Sequence, residues 1–292
     1  MKILNFGSLN IDHVYEVPHF LCPGETLSST KYNSFPGGKG LNQSIAMARS
    51  GSYVYHVGKI AADSVKLLSI LQESGVDTTF LDTSGSTTGH AIIQVNPQGE
   101  NCILLYGGSN LEISTDYIDR VFESIQEECI LVLQNEISNL QYIIDKAKDL
   151  RMPIAFNPSP IDENLKRMDL SGITWMILNE IEGAELSGSD DSTEMTRNLL
   201  SKYPDMKIIL TLGDKGAIYE DRSMRYEQPS HPAVVKDTTA AGDTFTGYFI
   251  SEIASGADIK KALDVASKAA AIAVSRDGAS CSIPTRDEVV KM

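Results

Sequence analysis

The chain has 292 residues, of which 42% are hydrophobic and 22% are charged, and its net charge is −14. This composition is typical of a soluble globular protein with enough chain to bury a full core. The acidic balance argues against nucleic acid and anionic membranes as general partners. No apolar run approaches the ~20 residues that a membrane span requires. Any anionic substrate must therefore be held by local groups.

The four cysteines, Cys22, Cys102, Cys129 and Cys281, lie far apart and form no C-x-x-C motif. They predict reduced thiols in a cytoplasmic protein rather than a disulfide framework or a zinc site. The histidines show no metal-ligand spacing, and the N-terminus becomes polar too early for a signal peptide.

The N-terminal region reads as two strands. Residues 2–6 predict a short buried strand, and residues 9–17 alternate with a period of roughly two. Alternation predicts a strand with one exposed face, on which Asn10 and Asp12 lie together. Two short polar side chains on one face can bind hydroxyl groups. The alternative is a solvated face of an antiparallel sheet.

A glycine-rich turn precedes the first helix. Three of the four residues in 37–40 are glycines, which allow the backbone to approach a ligand closely. The following helix ends near Gly51. Lys39 and Asn42 stand three residues apart and can share a helix face. The turn lacks the Gly-Lys-Ser/Thr order of a P-loop, so Lys39 is not assigned to phosphate, and a turn without a ligand is the alternative.

The next region is rich in short strands, followed by an alternation of strands and helices. The strands expected in the first part cover residues 53–57, 80–81, 88–96 and 102–106, with a helix at 63–74. Strands within about 9–35 and 86–106 predict a small separate sheet that can close over a substrate. Residues 130–134, 154–156, 175–178 and 207–212 are apolar strands separated by helical patterns, which predicts a mostly parallel sheet with helices on both faces.

Ligands bind beyond the carboxyl ends of the strands in such sheets. Polar residues stand at these ends, although each alone can be a cap or turn residue: Glu136, Asn157, Asn179, Glu182 and Asp214. Residues 234–236 are expected to form a further strand, and 244–253 and 259–275 to form helices. No linker divides the chain, so we predict one α/β domain over residues 1–292.

Residues 237–245, Asp-Thr-Thr-Ala-Ala-Gly-Asp-Thr-Phe, stand where a loop enters a helix. The first N–H groups of a helix have no partner within it and suit an anion. Ala240, Ala241 and Gly242 carry no bulk that would exclude a phosphate. Asp243 beside such a site can act as a base toward an attacking hydroxyl. The alternative is an ordinary acid at a helix start.

Residues 37–43 and 237–245 together resemble the paired motifs of the ribokinase-like carbohydrate kinase family. Residues 7–12, 179–182 and 211–216 add matches in the same order, so the resemblance covers nearly the whole chain. It implies a ribokinase-like three-layer sandwich with a small β-sheet lid, forming one kinase domain. It also implies ATP-dependent phosphorylation of the primary hydroxyl of a pentose, with ribose favoured and ribose 5-phosphate as product.

The resemblance implies roles for individual residues. Asp243 would be the base, and the backbone of Ala240, Ala241, Gly242 and Asp243 would form the anion hole. The residues implied to hold sugar hydroxyls are Asn10, Asp12, Gly38, Lys39, Asn42 and Glu136. Those implied to hold ATP are Asn179, Thr211, Gly213, Asp214, Gly216, Gly242 and Ser267, with Glu182 placing Mg²⁺ through water. A monovalent cation, K⁺, would be bound by Asp237, Thr239, Ala273, Arg276, Gly278 and Ser282, mostly through backbone carbonyls.

The sequence departs from the family pattern in two places. Ser267 stands where a larger His or Asn is usual beside the adenine, and residues 58–64 lack the usual Gly-x-Asp-x-x-Gly form. A kinase for another sugar, such as a hexose, or for a nucleoside therefore stays open. A nucleoside kinase would stack its base on lid aromatics, here Tyr15, Phe35 and Tyr106.

A non-catalytic sugar-binding regulator on the same fold is a further alternative, which the intact motifs disfavour. The partners expected are a small-molecule sugar and ATP, not nucleic acid or a membrane. An exposed β flap is a pairing liability unless it is covered, so we also expect a homodimer formed through the lid.

Overall fold

A computed structural model describes residues 1–292. Its strands are β1 (Lys2–Phe6), β2 (Asn10–Glu16), β3 (Lys31–Gly37), β4 (Val54–Ala61), β5 (Leu81–Gly85), β6 (Gly89–Val95), β7 (Asn101–Tyr106), β8 (Cys129–Gln134), β9 (Ile154–Asn157), β10 (Trp175–Asn179), β11 (Lys207–Thr211), β12 (Ala217–Glu220) and β13 (Arg225–Gln228). Its α-helices are α1 (Lys39–Arg49), α2 (Val65–Glu73), α3 (Thr115–Ser124), α4 (Leu140–Asp149), α5 (Glu180–Ser187), α6 (Ser192–Lys202), α7 (Ala241–Ala254), α8 (Ile259–Val274) and α9 (Arg286–Val290).

The main sheet has nine strands in the order β13-β12-β11-β10-β9-β8-β1-β4-β5. Every pairing from β11 to β5 is parallel, and β12 and β13 add an antiparallel edge. Because the chain enters β1 in the middle and then builds outward in both directions, the strand order reverses beside β1. A crevice at the carboxyl ends of the strands follows from such a reversal.

The main sheet is buried on both faces. Successive residues of β8 alternate between two apolar clusters, with Ile130 and Val132 on one side and Leu131 and Leu133 on the other. Helices α1, α2, α7 and α8 cover the first side, and α3, α4 and α6 cover the second. This confirms the predicted α/β sandwich of three layers, and it explains why β8 reads as a continuous apolar run.

A separate sheet of four strands, ordered β3-β2-β6-β7, stands apart from the main sheet. Only three residues separate the end of β1 from the start of strand β2, and a single residue separates the end of β3 from the start of α1. All six residues of β7 are exposed. The small sheet therefore projects from the carboxyl edge of the main sheet, where the polar strand ends lie.

None of the helices combines the length and the apolar content that a membrane crossing requires.

Several predicted elements were wrong or missed. Residues 234–236 form no strand: the sheet ends at β13, and Val234 and Val235 remain 80% and 63% exposed. Two β-branched residues favour an extended backbone, but a strand also needs a neighbour. The antiparallel pair β12–β13 and the helices α3, α5, α6 and α9 had not been predicted.

Candidate active site

Helices α1 and α7 pack closely and bring the two glycine-containing motifs together. Gly247 of α7 lies directly on α1, where an added Cβ atom would overlap the side chain of Ala46. At the N-terminal ends of the two helices, Asn42 Nδ2 donates to Asp243 Oδ2 at 3.0 Å and Gln43 Nε2 donates to Asp243 Oδ1 at 2.9 Å. Asp243 is thus fixed by two amide side chains from the other motif.

Asp243 stands in the first turn of α7 beside unpaired backbone donors. Ala240, which precedes the helix, has φ 60°, a left-handed conformation that turns the chain sharply into α7. Neither the N–H of Gly242 nor that of Asp243 has a hydrogen-bond partner in the chain. Burial raises the pKa of Asp243 to about 6, against Lys39, Gln43 and Asn42, which favour the ionised form. The group is therefore ionised at neutral pH and is a stronger base than an ordinary aspartate.

Six predicted residues, Asn10, Asp12, Gly38, Lys39, Asn42 and Glu136, gather around the start of α1, and we call them the polar cluster. Lys39 Nζ lies 3.3 Å from Glu136 Oε1, and the Lys39 backbone N–H donates to Glu136 Oε2 at 3.1 Å. Burial opposes the charge of Lys39, yet Glu136 and Asp243 hold its pKa above the usual value. Burial and the Glu136 charge raise the pKa of Asp12 to about 6. One lysine thus faces three carboxyl groups.

The remaining members of the polar cluster depend on residues that the sequence did not reveal. Asn110 Nδ2 donates to Asn10 Oδ1 at 2.8 Å, and the backbone N–H of Leu9 donates to Asn110 Oδ1 at 2.9 Å. Ser8 donates its hydroxyl hydrogen to Glu136. Gly38 has φ 97°, and a Cβ there would approach Ser8 O to 2.9 Å. Asn110 follows the small sheet in a turn without a motif, so no sequence signal indicated it.

A cavity of about 530 Å³ lies on the other side of Asp243, between α7, α8 and the loop after β11. Six of the eight residues predicted for the nucleotide line it, namely Thr211, Gly213, Asp214, Gly216, Gly242 and Ser267. The sequence had not predicted the other lining residues for the nucleotide, although Ala241 was predicted for the anion hole: Ser230, His231, Pro232, Ala233, Val235, Thr238, Ala241, Phe245, Ala270, Ala271 and Val274. Most of these are small or apolar, which suits a flat apolar ligand more than a charged one.

Asn179 and Glu182 do not line the cavity. They form a capping box at the start of α5, in which the Glu182 N–H donates to Asn179 Oδ1 at 2.9 Å and the Asn179 N–H donates to Glu182 Oε2 at 3.0 Å. An Asn followed three residues later by Glu is the sequence signature of such a cap. Both side chains therefore have a structural task at this helix end.

The residues predicted to bind a monovalent cation lie on two loops that contact each other. Asp237 Oδ2 accepts from the Gly278 N–H at 3.0 Å, and Asp237 Oδ1 accepts from the Thr239 N–H at 2.9 Å and from its hydroxyl at 2.6 Å. The Lys236 N–H donates to the carbonyl of Val274, next to Ala273. The side chains of Arg276 and Ser282 bond elsewhere, to Glu288 and to the carbonyl of Ala279. No group of three or more His, Cys, Asp or Glu side chains is arranged to hold a metal ion.

A basic carboxylate contacts the polar cluster, and the residue before it, Gly242, lines the cavity. Hydroxyl groups suit the polar cluster, since it offers carboxylate and amide oxygens together with one ammonium group. An anion suits the N-terminal end of α7, where free N–H groups and the helix dipole converge. A group bound in the polar cluster can therefore lose a proton to Asp243 while an anionic group from the cavity side sits at the helix end.

Comparisons with known proteins agree with this arrangement. Residues 1–286 match the sequence profile of the pfkB family carbohydrate kinases. A protein of Haemophilus influenzae named ribokinase is 34% identical over 298 aligned residues, which cover 98% of this chain and 96% of that protein.

Two solved structures share the fold over nearly their whole length. Ribokinase from Cryptococcus neoformans var. grubii serotype A, in complex with ADP, has a TM-score of 0.88 at 31% identity and covers 99% of this chain and 98% of its own. Ribokinase from Arabidopsis thaliana, complexed with ribose and ATP, has a TM-score of 0.87 at 26% identity, with 99% and 97% covered. The predicted resemblance and the ribokinase-like fold are thereby confirmed. The chain belongs to the pfkB family of carbohydrate kinases and is a phosphotransferase that acts on a hydroxyl group of a sugar.

Proposed function

We propose that this chain is an ATP-dependent kinase that converts ribose to ribose 5-phosphate. One observation carries the proposal: Asp243, ionised at neutral pH, is fixed by Asn42 and Gln43 at the polar cluster, and its neighbour Gly242 lines the cavity. The names of the relatives support ribose and ATP, because the H. influenzae protein is called a ribokinase and the A. thaliana structure contains both ligands.

The polar cluster would bind the sugar. Asn42 Oδ1 is buried and has no hydrogen-bond partner, although Asn42 Nδ2 is bonded to Asp243. An orphaned acceptor of this kind costs about 1–3 kcal/mol unless a ligand donates to it. A sugar hydroxyl would satisfy it, while Asn10, Asp12, Lys39, Glu136 and the Gly38 backbone would hold the remaining hydroxyls.

Asp243 would act as the general base. Its carboxylate takes the hydrogen of the primary hydroxyl as that oxygen forms a bond to the γ-phosphorus and the bond from phosphorus to the ADP oxygen breaks. The backbone of Ala240, Ala241, Gly242 and Asp243 would receive the transferring phosphoryl group. The free N–H groups of Gly242 and Asp243 need no reorientation for this task, which favours stabilisation of the developing charge.

The cavity would bind ATP, with its small and apolar residues against the adenine and Gly242 toward the phosphates. Ser267 lines the cavity as a small side chain, which leaves room where a larger residue is usual. Mg²⁺ held by ATP would neutralise phosphate charge, and Glu182 would contribute to its placement through water. Asn179 would act through the capping box that it forms with Glu182.

The two loops at Asp237 and Gly278 would bind K⁺ through Asp237 and the backbone of Thr239, Ala273, Arg276 and Gly278, with Ser282 nearby. The Asp237 carboxylate accepts three hydrogen bonds and so keeps both loops in register behind the start of α7. A cation there would supply positive charge beside the phosphoryl site.

The small sheet would act as a lid and as a dimer contact. Asp12 and Phe35 are paired and share its inner face, toward the polar cluster, whereas Tyr15 and Tyr106 lie on the outer face. The three candidate aromatics therefore do not converge on one ligand, which favours a free sugar over a nucleoside. Exposed apolar side chains at the open β7 edge, among them Leu104 at 68% exposure, suit a second copy of the chain. A Leu104→Lys variant that remained dimeric by mass, or a monomeric parent protein, would contradict this contact.

ATP consumption measured over ribose, other pentoses, hexoses and nucleosides tests the proposal, with and without K⁺. We expect the highest kcat/KM on ribose and stimulation by K⁺. In the Asp243→Asn variant we expect turnover to fall ~10²-fold or more while sugar and ATP still bind.

A higher kcat/KM on another sugar would replace ribose as the proposed substrate. Near-normal turnover of Asp243→Asn would exclude Asp243 as the base. Tight ribose binding without turnover on any sugar would favour the non-catalytic regulator.

A further inference from the structure

A row of buried amide side chains runs away from Asp243 into the main sheet, and the chemistry described above uses only its first member, Gln43. Its members are Gln43 on α1, Gln134 at the end of β8, and Asn5 on β1, followed by Ser44 and His56. Each of the five side chains is 0% exposed. Buried polar groups are costly unless they are bonded, so an extended row of them next to a catalytic base calls for a role.

Hydrogen bonds connect every member of this row, which we call the amide row. Gln43 Nε2 donates to Asp243 Oδ1 at 2.9 Å, and Gln134 Nε2 donates to Gln43 Oε1 at 2.7 Å. Gln134 Nε2 also donates to Asn5 Oδ1 at 3.0 Å. Asn5 Nδ2 donates to the carbonyl of Gly40 at 2.9 Å and to Ser44 Oγ at 2.7 Å.

The amide row has a defined direction, because an amide donates only through nitrogen and accepts only through oxygen. The carbonyl of Gly40 is a pure acceptor in a helix backbone, so it orients the NH₂ group of Asn5 toward itself. Asn5 Oδ1 then faces Gln134, whose two N–H groups face Asn5 and Gln43. Gln43 must turn its oxygen to Gln134 and its NH₂ group to Asp243. Reversing any one amide would set two like groups against each other.

The far end of the amide row is closed by a neutral histidine. Ser44 Oγ lies 2.8 Å from His56 Nδ1, and burial lowers the pKa of His56 to about 3. Since Ser44 already accepts from Asn5, its own hydrogen is available to the unprotonated Nδ1 atom. No charge enters the amide row at this end, so its direction is set by the backbone and not by a titrating group.

We propose that Gln134, acting through Gln43, is a positioning residue that holds the Asp243 carboxylate in the orientation needed to accept the hydroxyl proton. Through its hydrogen bonds Gln134 reaches only Asn5 and Gln43, neither of which is assigned to a ligand. If Gln134 lacks its N–H donors, Gln43 loses the hydrogen bond that selects the orientation of its amide. Gln43 can then turn its oxygen toward the Asp243 carboxylate. The inference rests on the proposed role of Asp243 as the base.

A comparison of Gln134→Met, Gln134→Glu and Thr196→Val tests the proposal. Met keeps the length of Gln without donating, and a Glu carboxyl group supplies at most one hydrogen where Gln134 makes two donations. Thr196 is a fully buried residue on α6 whose hydroxyl donates to Glu220 at the end of β12, and its replacement controls for the loss of a buried hydrogen bond. The readouts are kcat as a function of pH, the KM for sugar and thermal stability.

We expect both Gln134 variants to lower kcat about tenfold and to move the acid limb of its pH profile to higher pH, because the donation that favours the ionised carboxylate is weakened. The KM for sugar should change little. The other charged groups facing Asp243 are Lys39 and Glu136, with Asp12 beside them, and none of them contacts Gln134. Thr196→Val should lose stability only.

Outcomes for the base and for the amide row separate. If Asp243→Asn loses turnover while both Gln134 variants keep the wild-type pH limb and a kcat like that of Thr196→Val, the positioning role is wrong and the base stands. If Asp243→Asn keeps turnover, the proposed base is wrong and the positioning role falls with it. If Gln134→Met does not fold, the acid limb of the kcat pH profile of Gln134→Glu alone decides whether the positioning role stands.

Discussion

The two sides of Asp243 are built from different materials. The polar cluster consists of charged and amide side chains that bond one another, with Lys39 between Glu136, Asp12 and Asp243. The cavity consists mainly of small and apolar residues and of backbone, and much of its wall is the segment 230–238, which has no helix or strand. One side is defined by hydrogen-bond direction, the other by shape.

This difference separates two kinds of selectivity. A site built from fixed polar groups rejects a ligand that leaves one of them unpaired, and the penalty is large. A site built from small apolar walls discriminates by fit, and the penalty per atom is modest. We therefore expect the polar cluster to tolerate few changes in substrate or sequence, and the cavity to tolerate more.

The largest expected effect comes from Lys39→Met, which removes the only cation of the polar cluster and leaves three carboxyl groups together. Losing one partner of a buried charge pair costs about 2–5 kcal/mol, so kcat/KM for sugar should fall ~10²-fold or more. The KM for ATP should stay within about threefold. Lys146→Met, which breaks a remote pair with Asp119 on the surface, is the matched control. Equal losses for sugar and ATP would remove the contrast between the two sides.

Ala270→Phe is the corresponding test of the cavity. A large ring on α8 would fill space that we assign to the adenine, so the KM for ATP should rise about tenfold while sugar binding, measured calorimetrically, stays unchanged. Ala270→Ser keeps the size and should behave like the parent protein. Weakened sugar binding in the Phe variant alone would show that the two sides are coupled.

The pH dependence of kcat should originate from Asp243. Asp243 must be ionised to accept a proton, and its pKa is raised to about 6. Its basic form is therefore present above that value and is lost as pH falls, so kcat at pH 5.5 should be about fourfold below its plateau. Steady-state rates between pH 5 and 8 measure this. A flat profile down to pH 5 would argue against an ionisation of Asp243 in this range.

The smallest effect is expected for His231→Gln at the cavity wall. His231 Nε2 lies 2.9 Å from Asp264 Oδ1, a pair at the protein surface. Exposed pairs contribute about 0–1 kcal/mol, so the KM for ATP should change about twofold. A change beyond about tenfold, which a direct polar contact would give, would mean that the cavity also reads polar groups.

The residues of the polar cluster could be selected from the sequence because they are recognised by side-chain identity at short spacing. Lys39 and Asn42 stand one helical turn apart, and Asp243 follows a run of small residues, so their chemistry could be read locally. The prediction that 37–43 and 237–245 act together came from the family resemblance. Their contact depends on Gly247 against Ala46, which no local pattern indicates.

The residues of the cavity wall were harder to predict, because few of them can be recognised by side-chain identity. Small residues such as Ala233 and Ala271 carry no chemical signal, and they become a cavity wall only through the packing of distant segments. Val234 and Val235 suggested a strand because β-branched residues favour extended backbone, yet no neighbouring strand is available there. Asn179 and Glu182 read as ligands of the site, although the same two residues satisfy each other as a helix cap.

The connection between the small sheet and the body has a mechanical consequence. The small sheet is connected to the body before β2, after β3, before β6 and after β7, and two of these four joints, at Asn10 and at Gly37, lie at the polar cluster. A rotation of the small sheet about these two joints would therefore take place at the polar cluster. A tilt that lowers its far end also turns Asp12, which is carried by β2, relative to Lys39 and Glu136, which belong to the body. A ligand that drew Asp12 toward Lys39 and Glu136 would therefore also tilt the small sheet, since β2 carries Asp12.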